Sequence, residues 1–294
     1  MNYIGELYKQ WIYYQKNILI QLNIQNIDDF NDDEVSIFYF EYYFRVLPQV
    51  QYEVYISKEL TNNPLYHNFE SVIETIKQKA INGEDLKPYL SKGIKNLKKS
   101  DGMINDWGIY HFHLGDELLS NDFIKRTGEL LFIYRDFKLN PNKLYFLDIY
   151  HHGDWSKRKI IEVIHNNWQE AIDFYKIKDM IDIEPKLNDK EHQLMRDADI
   201  NSVVVLDDGT SYMMLGGGIT TAGTNQKATM LKIQYMKFFR NLENELIDKY
   251  KIDRKQLRLK IENDISYIYL DIPYLNEKEK IISLNKLILL DDNQ

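Results

Sequence analysis

Apolar and polar positions follow a helical spacing through most of the first hundred residues. Residues 3–22 place apolar side chains every three or four positions, and the spacing recurs over 34–46 and 69–81. A shorter helix is predicted over 84–97, and the alternating residues 50–57 predict a strand or an extended arm. The first hundred residues are therefore predicted to be mainly helical.

Alternation and short apolar runs replace the helical spacing from residue 108 onward. Residues 108–114 alternate and predict a strand, whereas the apolar runs 129–135 and 143–150 flank a proline-containing turn and predict a hairpin. Helical spacing returns over 155–175, with Asp154 at the position of the N-cap. The central part of the chain is therefore predicted to combine a small sheet with one packed helix.

Short strands and one long helix are predicted for the last third of the chain. Residues 177–200 are charged and lack a clear period, which predicts a linker or an exposed excursion. Hairpins are predicted over 202–215 and 256–272, and a helix over about 225–250 lies between them. The tail over 277–291 is short and mixed in pattern.

These elements together predict an α+β protein. We expect a helical N-terminal region, a central small mixed sheet with one packed helix, and C-terminal hairpins with a long helix. The predicted division is a helical region at 1–99, a histidine-rich α/β module at 100–176, a linker at 177–200, and a hairpin-plus-helix region at 201–294.

Composition narrows the classes of function. The chain of 294 residues contains no cysteine, which excludes disulfides, thiolate zinc sites and a cysteine nucleophile. Neither a secretory signal nor an apolar run near the roughly 18 residues of a membrane span occurs, so we expect a cytoplasmic protein with no membrane partner. The net charge of −8 argues against a general nucleic-acid coat protein.

Five of the seven histidines lie within residues 111–165. His111 and His113 are two apart on a predicted strand, so both imidazoles point to the same face. One neutral imidazole can accept a proton while another donates one, which favours acid–base chemistry. The alternative is a divalent metal held by His111, His113, His151 and Asp154.

The sequence leaves open which histidine of the next pair joins this site. His151 and His152 follow the second hairpin strand, and neighbours on a strand point to opposite faces, so at most one of them faces His111 and His113. A shared site also requires strand 108–114 to pair with strand 144–151. A local excess of positive charge surrounds it, because residues 125–159 contain eight basic and four acidic residues.

Two segments, Arg126–Phe132 and Tyr145–Asp154, join across a turn in a pattern that resembles the central hairpin of RelE-like and HigB-like toxins. Those proteins are small α/β endoribonucleases of toxin–antitoxin systems. The resemblance implies RNA cleavage by attack of the ribose 2′-hydroxyl on the adjacent phosphate. The candidate catalytic residues are then His111 and His113 of the predicted strand, together with His151, His152 and Arg126. The candidate substrate-binding residues are Arg135, Lys157, Arg158 and Tyr150.

Three hypotheses of function follow from the sequence. The first is a metal-independent RNA-cleaving protein of bacterial toxin or phage-defence type, with no cofactor and with RNA as its partner. The second is a metal-dependent hydrolase or nuclease that uses His111 and His113. The third is a non-enzymatic protein that binds a protein partner, as an antitoxin-like or scaffold component, with structural histidines.

Overall fold

The computed structural model describes residues 5–137, 139–178, 184–261, 267–272 and 277–283, with side chains as far as residue 259. Within these ranges α-helices combine with three β-sheets, so the predicted α+β class is confirmed. The chain separates into two compact units, Glu41–Lys227 and Met1–Phe40 with Ala228–Gln294. The division differs from the four predicted regions because a strand from the predicted helical region joins the central sheet.

Eight α-helices lie within the described ranges. They are α1 (Glu6–Gln21), α2 (Asp32–Arg45), α3 (Lys58–Asn62), α4 (Tyr66–Asn82), α5 (Gly102–Trp107), α6 (Lys159–Trp168), α7 (Asp189–Asp197) and α8 (Gln226–Tyr250).

Nine strands are described, and they group into sheets of four, two and three strands. They are β1 (Glu53–Ile56), β2 (Ile109–His113), β3 (Glu129–Tyr134), β4 (Lys143–His151), β5 (Val204–Val205), β6 (Ser211–Tyr212), β7 (Arg258–Ile261), β8 (Tyr267–Ile272) and β9 (Glu277–Ser283).

A mixed sheet in the order β1-β4-β3-β2 forms the centre of the larger unit. β1 runs parallel to β4, and β3 runs antiparallel to both β4 and β2. The register places His113 opposite Leu130, and Leu130 opposite Tyr150. β3 therefore separates β2 from β4, so strand 108–114 does not pair with strand 144–151, the pairing that a shared site was expected to require and that the sequence left open.

Each face of this sheet packs against its own apolar cluster. Tyr110 and Phe112 of β2 belong to the cluster that includes α4 residues such as Ile76. Ile109 of the same strand belongs to the opposite cluster, which includes α6 residues such as Ile161. Because side chains alternate along a strand, His111 and His113 lie on the α6 face.

Two predicted helices are shorter or absent. Residues 84–97 form two 3₁₀ turns, Lys87–Tyr89 and Lys92–Lys95, because Pro88 lacks an N–H and Ser91 bonds the N–H of Gly93 locally. The helix predicted over 155–175 is limited to α6. Asp154 does not cap it, since its carboxylate accepts the N–H of His151 at 3.2 Å instead.

The predicted linker contains a regular helix, so that prediction is wrong for residues 189–197. Asn188 accepts the N–H of Glu191, and Glu191 accepts the N–H of Asn188, which makes a capping box at the start of α7. Residues 179–183 of the predicted linker lie outside the described residues.

The smaller unit contains α1, part of α2, most of α8 and the sheet β7-β8-β9. Trp11 of α1 stacks on Tyr235 of α8 with ring centroids 5.6 Å apart. Part of the tail that was predicted as mixed forms β9, and the residues after 283 lie outside the described ranges. No described helix has both the length and the apolar character needed to cross a membrane.

Candidate functional site

His111 and His113 differ in exposure although they share one face of β2. His113 is 2% exposed, whereas His111 is half-buried. The Nδ1 of His111 and the Nε2 of His113 are both buried, and neither finds a hydrogen-bond partner among the described residues. Buried polar atoms are usually bonded, and the Nε2 of His192 is also open, but His111 and His113 place two open ring nitrogens on one face of one strand.

The turn after β4 brings a third histidine to the same face. The N–H of His152 donates to the Gly128 carbonyl at 2.8 Å, and Gly153 adopts a positive φ of 111° that favours glycine. The chain then returns over the sheet at Trp155. The ring of Trp155 lies 4.9 Å from that of His111 and 4.8 Å from that of His152.

Two contacts hold Trp155 in place, one through its ring and one through its backbone carbonyl. Its ring stacks on Phe132 of β3, with centroids 5.8 Å apart and planes 10° apart. Its carbonyl accepts a hydrogen bond from Arg196 of α7. Arg196 also pairs with Asp106 at 2.6 Å and lies 4.5 Å over the Trp107 ring. The aromatic support of His111 and His152 therefore depends on α7.

The loop before β3 fixes the other end of the site. The N–H of Thr127 donates to Nδ1 of His113 at 3.3 Å, and the Thr127 hydroxyl accepts the N–H of Leu114 at 3.0 Å. Arg126 is the preceding residue and is exposed. The loop thus carries an exposed guanidinium whose charge adds to the lowering of the pKa of the buried His113.

Burial and neighbouring basic residues favour the neutral form of His111 and His113. Burial lowers the pKa of His113 to about 4, helped by repulsion from Arg126 and from His111. Burial also lowers the pKa of His111, where Asp101 opposes the effect and His152 and Arg126 add to it. Both rings are therefore uncharged at pH 7, which is the state that accepts a proton or binds through one N–H.

His151 and His152, which are adjacent in the turn over 151–154 (the HHGD turn), lie in different surroundings. His152 lies against Trp155, as described above. The side chain of His151 is 66% exposed, and its Nδ1 is 3.9 Å from a carboxylate oxygen of Glu129. His152, and not His151, is therefore the one gathered with His111 and His113.

Three basic residues predicted to bind substrate are engaged elsewhere. Arg135 is buried and donates to the Pro141 carbonyl at 2.8 Å. Arg158 donates to the Val205 carbonyl at 2.9 Å and lies near the carboxylates of Asp189 and Asp207, at 3.7 and 3.6 Å.

Lys157 is the third, and it pairs with Asp154 at 2.9 Å. Of the predicted basic residues, Arg126 is the one whose charge acts on the histidine pair.

Tyr150 lies on the site's face but is not available for stacking a base from solvent. It is 7% exposed, and its ring lies 4.7 Å from that of Phe132. Burial raises the pKa of its hydroxyl well above the ordinary value. This hydroxyl has no hydrogen-bond partner within the described part of the chain, so it is a third open polar atom on this face.

The donor set predicted for a metal is not gathered at one point. Among the described residues, no group of three or more His, Asp or Glu side chains has an arrangement that could hold a metal ion. His151 faces Glu129, and Asp154 pairs with Lys157. The metal-dependent alternative remains a prediction.

Three contributors to the site were missed by the sequence reasoning. Trp155 directly follows the HHGD turn, and this position next to two histidines was the sequence signal that could have identified it. Thr127 bonds to His113 through its backbone N–H, which no side-chain pattern reveals. Arg196 lies in the predicted linker, where only the N-x-x-E capping pattern indicated a helix.

Comparisons of the chain with protein-family models, with curated proteins and with solved structures gave no match. The resemblance to RelE-like and HigB-like toxins therefore stays a prediction from the sequence.

Proposed function

We propose that this protein cleaves RNA without a metal, at the site formed by His111, His113, His152 and Arg126. The observation that carries the proposal is the gathering of His111 and His152 around Trp155, with His113 on the same face of β2 and two open ring nitrogens on that strand. The charge of the exposed Arg126 acts on His111 and His113. Imidazoles gathered in one place, with the exposed His152 open to solvent, can accept and donate protons.

His111 is assigned as the base. It takes the proton of a ribose 2′-hydroxyl while the 2′-oxygen forms a bond to phosphorus. The bond from phosphorus to the 5′-oxygen breaks, and His152 gives its proton to that leaving oxygen. His152 is exposed, so water can restore its proton after each turnover. Arg126 offsets the charge that develops on the phosphorane.

RNA is favoured over other phosphodiesters by two features of the proposed chemistry. The 2′-hydroxyl supplies an internal nucleophile, so no metal is needed to activate water. Single-stranded RNA is commonly held on aromatic rings, and the half-buried Trp155 lies between the two histidines that move protons. A cytoplasmic location, and a role in a bacterial toxin or phage-defence system with a protein partner, belong to the same proposal.

A cleavage assay on a fluorogenic single-stranded RNA tests the proposal. His111→Ala combined with His113→Ala should lower the cleavage rate by about 10²-fold or more, the range of acid–base contributions. His151→Ala is the matched control, because that neighbour is exposed and turned toward Glu129. A chelator should leave the rate unchanged, and elemental analysis should find no bound metal.

Undiminished cleavage by the double variant would contradict the assigned roles. Loss of cleavage on chelation, with near-stoichiometric metal in the wild type that is absent from the double variant, would replace the proposal with the metal-dependent alternative.

A further inference from the structure

The proton of His113 is located by a backbone hydrogen bond. The N–H of Thr127 donates to Nδ1 of His113, and a backbone N–H can only donate. Nδ1 must therefore carry its lone pair. A neutral imidazole has one N–H, which in His113 consequently lies on Nε2. His113 thus presents a fixed hydrogen-bond donor.

That donor has no acceptor in the described part of the protein. Nε2 is fully buried within a side chain that is 2% exposed, and no described group bonds to it. A buried polar group without a partner is costly, and native structures usually satisfy it with protein, water or ligand. The Nε2–H of His113 is therefore an unused donor that a bound group can satisfy.

The charges around His113 specify what kind of acceptor is favoured. The side chains that lower the pKa of this ring electrostatically are all basic residues: Arg126, which is the fixed charge among them, His111 and His152. The nearby carboxylate of Glu129 is directed toward His151 instead. A field of this sign selects an anion, and an anion with several oxygens can bond an N–H and a guanidinium together.

We propose that the Nε2–H of His113 and the guanidinium of Arg126 form a phosphate-binding subsite, in which His113 donates a hydrogen bond to a phosphate oxygen and transfers no proton. The inference rests on the proposed function in one respect, since the phosphate would be the scissile group of RNA. It separates the two histidines of β2 by role: His111 moves a proton, and His113 holds the anion.

Nitrogen-detected NMR on the full chain, labelled with ¹⁵N-histidine, tests the subsite without any cleavage. At pH 7 the His113 proton should be found on Nε2. Titration with inorganic phosphate, and separately with a single-stranded oligodeoxynucleotide that lacks the 2′-hydroxyl, should shift the Nε2–H signal to saturation. His151 should not respond. Arg126→Ala should weaken phosphate binding by about tenfold, as expected for one charge-assisted hydrogen bond.

A pair of substitutions separates donation from proton transfer. The amide of glutamine reaches the position of Nε2 and can donate there, but it does not titrate. His113→Gln should therefore keep phosphate binding and RNA cleavage within about tenfold of wild type, whereas His113→Ala should lose about 10²-fold in each. His111→Gln should bind phosphate normally and fail to cleave.

Three results would overturn the subsite: a proton on Nδ1 of His113, a His113 signal that phosphate leaves unmoved, or a His113→Gln variant as impaired as His113→Ala. Saturable phosphate binding in a protein that cleaves no RNA would support the subsite and remove the proposed function. Response to phosphate but not to the oligodeoxynucleotide would support the anion site and assign it to a small phosphorylated ligand.

Discussion

The larger unit contains two histidine sites that differ in how completely their ring nitrogens are bonded. His165 of α6 shares a hydrogen bond of 2.8 Å between Nδ1 and the Tyr212 hydroxyl, and its Nε2 lies 3.2 Å from a carboxylate oxygen of Asp208. On β2, the Nδ1 of His111 and the Nε2 of His113 have no such partner among the described residues. A ring with both nitrogens occupied joins two elements, whereas an open ring nitrogen remains available for a ligand.

The groups around the two histidine sites also differ in charge. The pKa of Asp208 is lowered mainly by the hydrogen bond from the Thr210 N–H, and His165 adds to this effect. His165 is one member of a carboxylate–imidazole–hydroxyl chain that ends at the buried Tyr212. The pKa of His113 is lowered mainly by burial, and the side chains that add to this effect, Arg126, His111 and His152, are all basic. The same residue type is therefore used once as a structural link and once at an anion-seeking position, and the clustering of histidines in the sequence does not separate these uses.

The largest expected effect concerns the support of the open site. Arg196→Ala leaves Asp106 as a buried carboxylate without its partner and removes a donor from the Trp155 carbonyl. We expect the free energy of unfolding to fall by about 3–5 kcal/mol, the usual cost of breaking a buried pair. Urea denaturation measures this loss. Lys157→Ala, which breaks an exposed pair with Asp154, should cost less than about 1 kcal/mol.

Arg196→Lys sharpens the same comparison because it retains the charge. Lysine cannot bond Asp106 and Trp155 in the planar arrangement of a guanidinium. The NMR signals of His111 and His152 should therefore move in this variant, while those of His165 stay in place. Equal movement at both histidine sites would show that α7 supports the whole fold and not Trp155 in particular.

The pH dependence of stability gives an effect of intermediate size. The pKa of His113 is about 4 in the folded protein and 6.5 when unperturbed. The unfolded chain therefore binds the additional proton between these values, and stability falls as the pH drops from 6.5 toward 4. The full contribution of this buried ring is about 3 kcal/mol.

The loss of stability on acidification, compared between wild type and His113→Gln, isolates the contribution of His113 from those of other groups. His192 also has a pKa lowered to about 4, mainly by burial, and adds a loss in the same direction. The variant should lose less stability on acidification than the wild type, as measured by chemical denaturation at pH 7 and pH 4.5. Identical pH profiles would mean that His113 is protonated as readily in the folded chain as in the unfolded one.

The sequence was sufficient for features that depend on local period. Alternation placed His111 and His113 on one face of a strand, and the two apolar runs gave β3 and β4. It could not choose between His151 and His152, because that choice depends on the turn conformation at Gly153. It also could not show that β3 lies between the two histidine-bearing segments, since strand order depends on long-range packing.

Contacts between distant positions account for the remaining omissions. Arg196 and Asp106 are 90 positions apart, and nothing in either segment indicates the other. The excess of basic residues over 125–159 was also a poor guide to substrate binding, because Arg135 and Arg158 bond to backbone carbonyls of the fold. A count of charges cannot distinguish a guanidinium that holds the chain together from one, such as Arg126, that faces solvent.

The smallest expected changes in stability test the comparison of the two histidine sites most directly. His165→Phe keeps a ring of similar volume but leaves the buried Tyr212 hydroxyl without its partner. It should lower the free energy of unfolding by about 1–3 kcal/mol and leave RNA cleavage unchanged. His111→Phe removes a ring whose Nδ1 is already open, so it should cost less stability, yet it should abolish cleavage. Calorimetric unfolding and the cleavage assay, applied to both variants, should give opposite rankings. If His165→Phe were the variant that lost cleavage while His111→Phe lost stability, the open nitrogens would mark a packing defect, and the functional site would have to be sought at Asp208 and Tyr212.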